Sequence, residues 1–194
     1  SSIMRPGTLE WTHTKKLIFP AGNEFHKFEM LDVHRNSMGV ESLQWDGEWN
    51  HAYLYHDYPR RAYVFDEDAD GAFYIRNSDN VENDITSEYV KVHFYLDTPR
   101  LDGDVYVDGK WTYNELSEKY LMQYDEQNKW YHAEIPLKYG YYSYQYITIL
   151  PDYSQKLTPT SETEGDFYQT QNRYLVMAYY RGNGDRFWRL IGVK

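Results

Sequence analysis

The sequence predicts an all-β protein, an Ig-like antiparallel β-sandwich. Three observations lead there. Apolar residues alternate or cluster in short runs, and 3.6-residue periodicity is nearly absent. Aromatic residues make up 19% of the chain, with 22 Tyr and 6 Trp, and such side chains fit a pleated, half-buried surface. Clusters of Asp, Asn and Gly punctuate the runs every 8–12 residues or so, which gives roughly ten strands.

Taken in order, residues 25–30 alternate after the turn Ala21-Gly22-Asn23. Residues 50–55 place His51, Tyr53 and Tyr55 on one face and Ala52 and Leu54 on the other. A short apolar run at 62–65, a turn at 66–71 and a return strand at 72–75 read as a hairpin. Residues 89–96 form a strand that stops at Asp97-Thr98-Pro99, because Pro lacks the N–H a central ladder needs. A turn at 101–103 leads to a strand at 104–107 and a further turn at Asp108-Gly109. The polar stretch 110–119 reads as a loop, and Thr112-Tyr113-Asn114-Glu115 has the capping-box form of a single helical turn. Residues 130–135 form a strand, Tyr139-Gly140 a turn, and 141–150 a strand with Tyr142, Tyr144, Tyr146 and Thr148 on one face. Residues 151–166 are poor in apolar groups and predict a long surface loop. Residues 174–180 and 186–191 flank Arg181-Gly182-Asn183-Gly184-Asp185 as a closing hairpin. The polar stretch 79–86 suggests a soft division between an N-terminal β-rich segment, 1–85, and an Ig-like domain, 86–194. The alternative is a single domain built from two packed β units.

Composition narrows the function. The formal net charge of −10, with no cluster of Lys and Arg, opposes binding to nucleic acid and to anionic membrane surfaces. Cysteine is absent, which removes disulfides, thiolate metal sites and a Cys nucleophile. No apolar run reaches the roughly 18–20 residues of a membrane helix, and the first residues carry no signal-peptide core. The start within a polar stretch is the kind expected of a fragment.

Motif chemistry is sparse. Asp66, Asp68 and Asp70, followed by Gly71, open like a calcium loop. The twelfth position, where an EF-hand requires a bidentate Glu, is Asn77, so a solvated hairpin turn is the preferred reading. The seven His are scattered, without HxH or HExxH spacing, and read as separate surface residues rather than a metal site. No nucleophile elbow, phosphate loop or dinucleotide fingerprint occurs. The sequence therefore predicts a protein that is not an enzyme and holds no cofactor. Trp111, Tyr113, Trp130, Tyr139 and Tyr141 are the candidate binding surface, able to stack on a sugar or to anchor a protein partner. The competing reading places the aromatic side chains in a core or a cross-strand ladder.

Two resemblances add to this. The series Gly103-Asp104-Val105-Tyr106-Val107, Trp111, Trp130-Tyr131 and Tyr139-Gly140-Tyr141-Tyr142 looks like the early-set β-sandwich of glycogen-binding modules, and implies a possible glycan ligand. A second series spans nearly the whole chain. It runs from Gly22-Asn23-Glu24-Phe25 through Asp70-Gly71-Ala72-Phe73-Tyr74-Ile75, Tyr89-Val90-Lys91-Val92-His93-Phe94 and Glu162-Thr163-Glu164-Gly165-Asp166 to Thr170-Gln171-Asn172-Arg173-Tyr174 and Leu190-Ile191-Gly192. In order and spacing it resembles the C-terminal part of the Bacteroidota type IX secretion system plug protein family, long known as a domain of unknown function. The resemblance implies a periplasmic, outer-membrane-associated accessory whose partner is an outer-membrane translocon protein. That family carries a further N-terminal Ig-like region, so the resemblance also implies a truncated chain.

Overall fold

The computed structural model describes residues 2–5, 8–11, 18–150 and 159–194. The first two strands, β1 (Ser2–Arg5) and β2 (Thr8–Trp11), pair as an antiparallel ribbon. The body of the molecule is built from β3 (His26–Met30), β4 (Val40–Trp45), β5 (Asn50–Leu54), β6 (Phe73–Ile75), β7 (Tyr89–Asp97), β8 (Asp104–Asp108), β9 (Gln123–Asp125), β10 (Trp130–Lys138) and β11 (Gly140–Ile149). One helical turn, α1 (Asn83–Thr86), precedes β7, and β12 (Met177–Tyr180) and β13 (Arg189–Val193) end the chain as a hairpin.

Two sheets face each other. The first has the order β4-β5-β7-β10-β9, antiparallel except for the parallel pair β5–β7. The second centres on β11, which pairs with β3 and β6 through its first half and with β8 through its second. Period-2 alternation places Val90, Val92, Phe94 and Leu96 of β7, and Tyr131, Ala133, Ile135 and Leu137 of β10, in the interior. From the other sheet Phe28, Met30, Tyr142, Tyr144 and Tyr146 meet them. The Phe28 and Phe94 rings meet edge to face at 5.8 Å, and Phe94 meets Tyr144 at 5.2 Å. The expected all-β sandwich is therefore the observed fold, and the Tyr ladder of β11 is core.

Several local expectations are revised. The division at residue 86 cuts both sheets. β4 and β5 lie beside β7, and β3 and β6 flank β11, so segments 1–85 and 86–194 share one sandwich. The polar stretch that suggested a boundary forms the α1 turn. Residues 62–65 are not a strand. The helical turn proposed at 112–115 is a 3-10 turn at Lys110–Thr112. Tyr139 is the single residue by which the chain leaves one sheet for the other. Of the expected loop 151–166, residues 151–158 lie outside the described residues. In its remainder Thr163 and Glu164 are buried, because the Glu164 carboxylate accepts the backbone N–H of Tyr146 at 2.8 Å and contacts His26 Nε2 at 3.1 Å.

Candidate functional site

The five proposed binding residues are dispersed. The 3-10 turn folds Trp111 under β11, where its Nε1–H donates to the Ser143 carbonyl at 3.0 Å and its ring packs on Phe94, Tyr120 and Tyr142. Tyr139 is buried as well, its hydroxyl facing Glu88 at 3.4 Å, and burial pushes its pKa up to about 12. Trp111 and Tyr139 are thus core residues. Tyr113 is exposed beyond the turn, Tyr141 is half-buried on β11, and Trp130 is half-buried on the outer face of the other sheet. Among the described residues no ring contact joins Tyr113, Trp130 and Tyr141, and Trp130 and Tyr141 sit on different sheets.

The acidic loop also satisfies itself. Asp66 pairs with Lys27 Nζ at 2.6 Å, and Asp68 accepts the backbone N–H groups of Phe25 and Asp70. The Asp66 and Asp68 carboxylates are thus held by separate partners, and Asp70 enters through its backbone N–H.

Two other surfaces stand out. The first is the β12–β13 hairpin, held by main-chain pairs from Met177↔Val193 to Tyr180↔Arg189, with a bulge at Ala178/Tyr179. Strand alternation normally buries one face, yet here both faces are apolar and open to solvent. Phe187 is 77% exposed, Trp188 65%, Ile191 65% and Leu175 64%. Within residues 173–194 there are five cationic side chains (Arg173, Arg181, Arg186, Arg189 and Lys194) and one carboxylate, Asp185. The hairpin is therefore basic on a protein whose net charge is −10.

The second is the outer face of the five-stranded sheet. Outward positions of β5, β7 and β10 bring together His51, Tyr53, His93, Tyr95, Trp130, His132 and Glu134. The register sets Tyr53 and Glu134 on either side of His93 and His132 opposite Tyr95. His51 Nδ1 lies 2.8 Å from His93 Nε2, and His93 Nδ1 lies 2.9 Å from His132 Nε2. His51 Nε2 donates to Asp46 Oδ2 at 3.0 Å, so the rings form one relay: His132 to His93 to His51 to Asp46. Tyr53 stacks on His93 at 4.3 Å. Burial, then the neighbouring His132, lowers the His93 pKa to about 4, and burial also lowers that of His132. Burial raises Glu134, but Lys91 at 2.9 Å outweighs it and holds the carboxyl below its usual range. Sequence reasoning treated these His as separate. The alternation within each strand was readable, but the neighbour relation β5-β7-β10 was not.

Together these features define an all-β sandwich with an uncovered basic, apolar hairpin at one place and an imidazole-rich sheet face at another. No protein-family model and no curated protein matches the chain. Among solved structures, it is similar to a hypothetical protein from Parabacteroides merdae ATCC 43184, at 39% identity and a TM-score of 0.89. The likeness covers 96% of this chain and 47% of that one, so the chain spans about half the length of the Parabacteroides protein. Among the described residues, no helix is long and apolar enough to cross a membrane.

Proposed function

We propose that this chain is a non-catalytic binding module, a plug-type accessory of a bacterial outer-membrane protein secretion system, and that it engages its protein partner through the β12–β13 hairpin. The observation that carries the binding reading is the hairpin itself. Large exposed apolar patches mark interaction surfaces, and Trp, Tyr and Arg, the residues that dominate interface energetics, are concentrated there as Tyr179, Tyr180, Arg181, Arg186, Trp188 and Arg189. Its positive charge favours an acidic partner surface. The secretion role rests on the resemblance of the ordered motifs, and the Bacteroidota origin of the similar Parabacteroides protein agrees with it. A periplasmic, outer-membrane-associated location follows from the same reading.

The test is capture from a Bacteroidota outer-membrane extract with the chain as bait, beside a Trp188→Ser/Leu190→Ser variant. Recovery of a large β-barrel translocon protein by the parent chain and its loss with the variant supports the reading. Equal recovery by both, capture by lipid vesicles alone, or recovery of no outer-membrane protein refutes it. A carbohydrate-binding reading has one favouring observation: Tyr95, Tyr124 and Trp130 line a shallow cleft with Gln123 and Asp125. It predicts glucan retention lost in Trp130→Ala.

A further inference from the structure

We propose that His51, His93 and Glu134 form a binding site for a divalent transition-metal ion of the zinc type on the outer face of the five-stranded sheet. This site is independent of the hairpin and of the function proposed above. Its donors come from three adjacent strands, β5, β7 and β10, and one donor atom from each lies within 4.8 Å of the others. His93 Nε2 is 2.8 Å from His51 Nδ1 and 3.7 Å from Glu134 Oε2. A tetrahedral zinc centre, with bonds of about 2.0–2.2 Å, sets its ligand atoms about 3.3–3.5 Å apart. The imidazole pair must therefore open by about half an ångström, and the partly exposed Glu134 must close on both rings, by about 0.3 Å toward His93 and by at most about 1.5 Å toward His51.

What surrounds the donors resembles the support that metal-ligating histidines receive. Asp46 takes the Nε2 proton of His51 and leaves Nδ1 as the lone pair facing the site. Asp46 is itself fixed by the backbone N–H groups of Glu48 and Trp49 at 2.8 and 2.7 Å. Without the ion His93 Nε2 donates to His51 Nδ1; the ion displaces that proton to solvent, and His93 takes the other tautomer, donating from Nδ1 to His132 Nε2, whose Nδ1 then carries the His132 proton. Ring motion is restricted on both ligands. His51 is 8% and His93 6% exposed, and His93 lies between the stacked rings of Tyr53 and His132. Lys91 occupies Glu134 Oε1, which leaves Oε2 for the ion, and the side chain is open enough for water to complete the coordination. Two imidazoles and one carboxylate favour zinc, cobalt, nickel or copper over calcium or magnesium, which require oxygen ligands.

The experiment uses the full chain freed of metal by chelator and dialysis. Cobalt is titrated by visible absorption, and zinc by calorimetry and by competition against cobalt. The expected result is one ion per chain with a tetrahedral cobalt spectrum bleached by zinc. His51→Ala and His93→Ala should abolish the spectrum. Glu134→Gln, which keeps the shape of a partly exposed side chain, should weaken affinity, and Asp46→Asn should weaken it about 10–100-fold. His34→Ala should leave it unchanged, and far-UV circular dichroism confirms that each variant is folded. Absence of a saturable cobalt spectrum in the parent chain, or a spectrum retained by folded His93→Ala and Glu134→Gln, overturns the proposal and leaves the cluster a hydrogen-bonded structural relay.

Discussion

His26 supplies a pH signature that can be worked from the structure. It sits on β3 with Nδ1 2.9 Å from Asp57 Oδ1 and Nε2 3.1 Å from Glu164 Oε2. Tyr144 and Tyr146 both donate to Asp57 Oδ2 at 2.8 Å. Burial pulls the imidazole down. The carboxylates of Glu164 and Asp57 outweigh it and raise the pKa from 6.5 to about 9. The difference between the folded and unfolded values corresponds to about 3 kcal/mol. Because the folded value is the higher one, this stabilisation is complete below pH 6.5 and is lost as pH rises through about 9. Over this window Tyr144 and Tyr146 stay protonated, since burial holds both well above the usual phenol range. His93, with its pKa lowered to about 4, acts on the other side and costs stability as pH falls below 6.5. The assay is urea unfolding followed by tryptophan fluorescence from about pH 6.5 to about pH 9.5. The parent chain should lose about 3 kcal/mol across it, and His26→Gln, weaker at neutral pH, should show a much flatter profile. A flat parent profile, or the same slope in His26→Gln, refutes the assigned charge.

Three further outcomes follow from packing. Phe94→Ala removes a fully buried ring that touches Phe28, Trp111 and Tyr144, and should cost about 3–5 kcal/mol in denaturant unfolding. Gly39 has φ +79° and a Cβ added there would lie 2.8 Å from Phe28 Cβ, so Gly39→Ala should lower stability by about 1–3 kcal/mol, read as a drop in Tm. Trp188→Ser should change stability by less than about 0.5 kcal/mol, because the side chain is 65% exposed, while reducing partner capture.

The strands that period-2 alternation marks most cleanly, β5, β7 and β11, were legible in the sequence, down to which Tyr of β11 share a face, and the structure turns that face to the core. β4 escaped because a bulge between Val40 and Ser42 breaks its alternation at an edge, and β9 because three residues carry no period. Trp111 could not be placed, since its burial depends on a single 3-10 turn directing the indole toward Ser143. The His51, His93 and Glu134 cluster was illegible for a different reason. It needs residue 51 to lie beside residue 93 in a parallel pairing and residue 134 across from it, and strand order is not written in local periodicity.

The double use of β11 has a consequence for how the molecule comes into being. Its first half is the only described strand partner of β3, more than a hundred residues earlier in the chain, and its second half holds β8. Until residues 140–144 have emerged, β3 and β6 have no described strand to bind, and the apolar side chains of β7 lack the Tyr142 and Tyr144 layer that faces them. Loop-closure entropy on that scale makes assembly late and slow. The second sheet stays open until residue 144 has been made, and then closes around one strand.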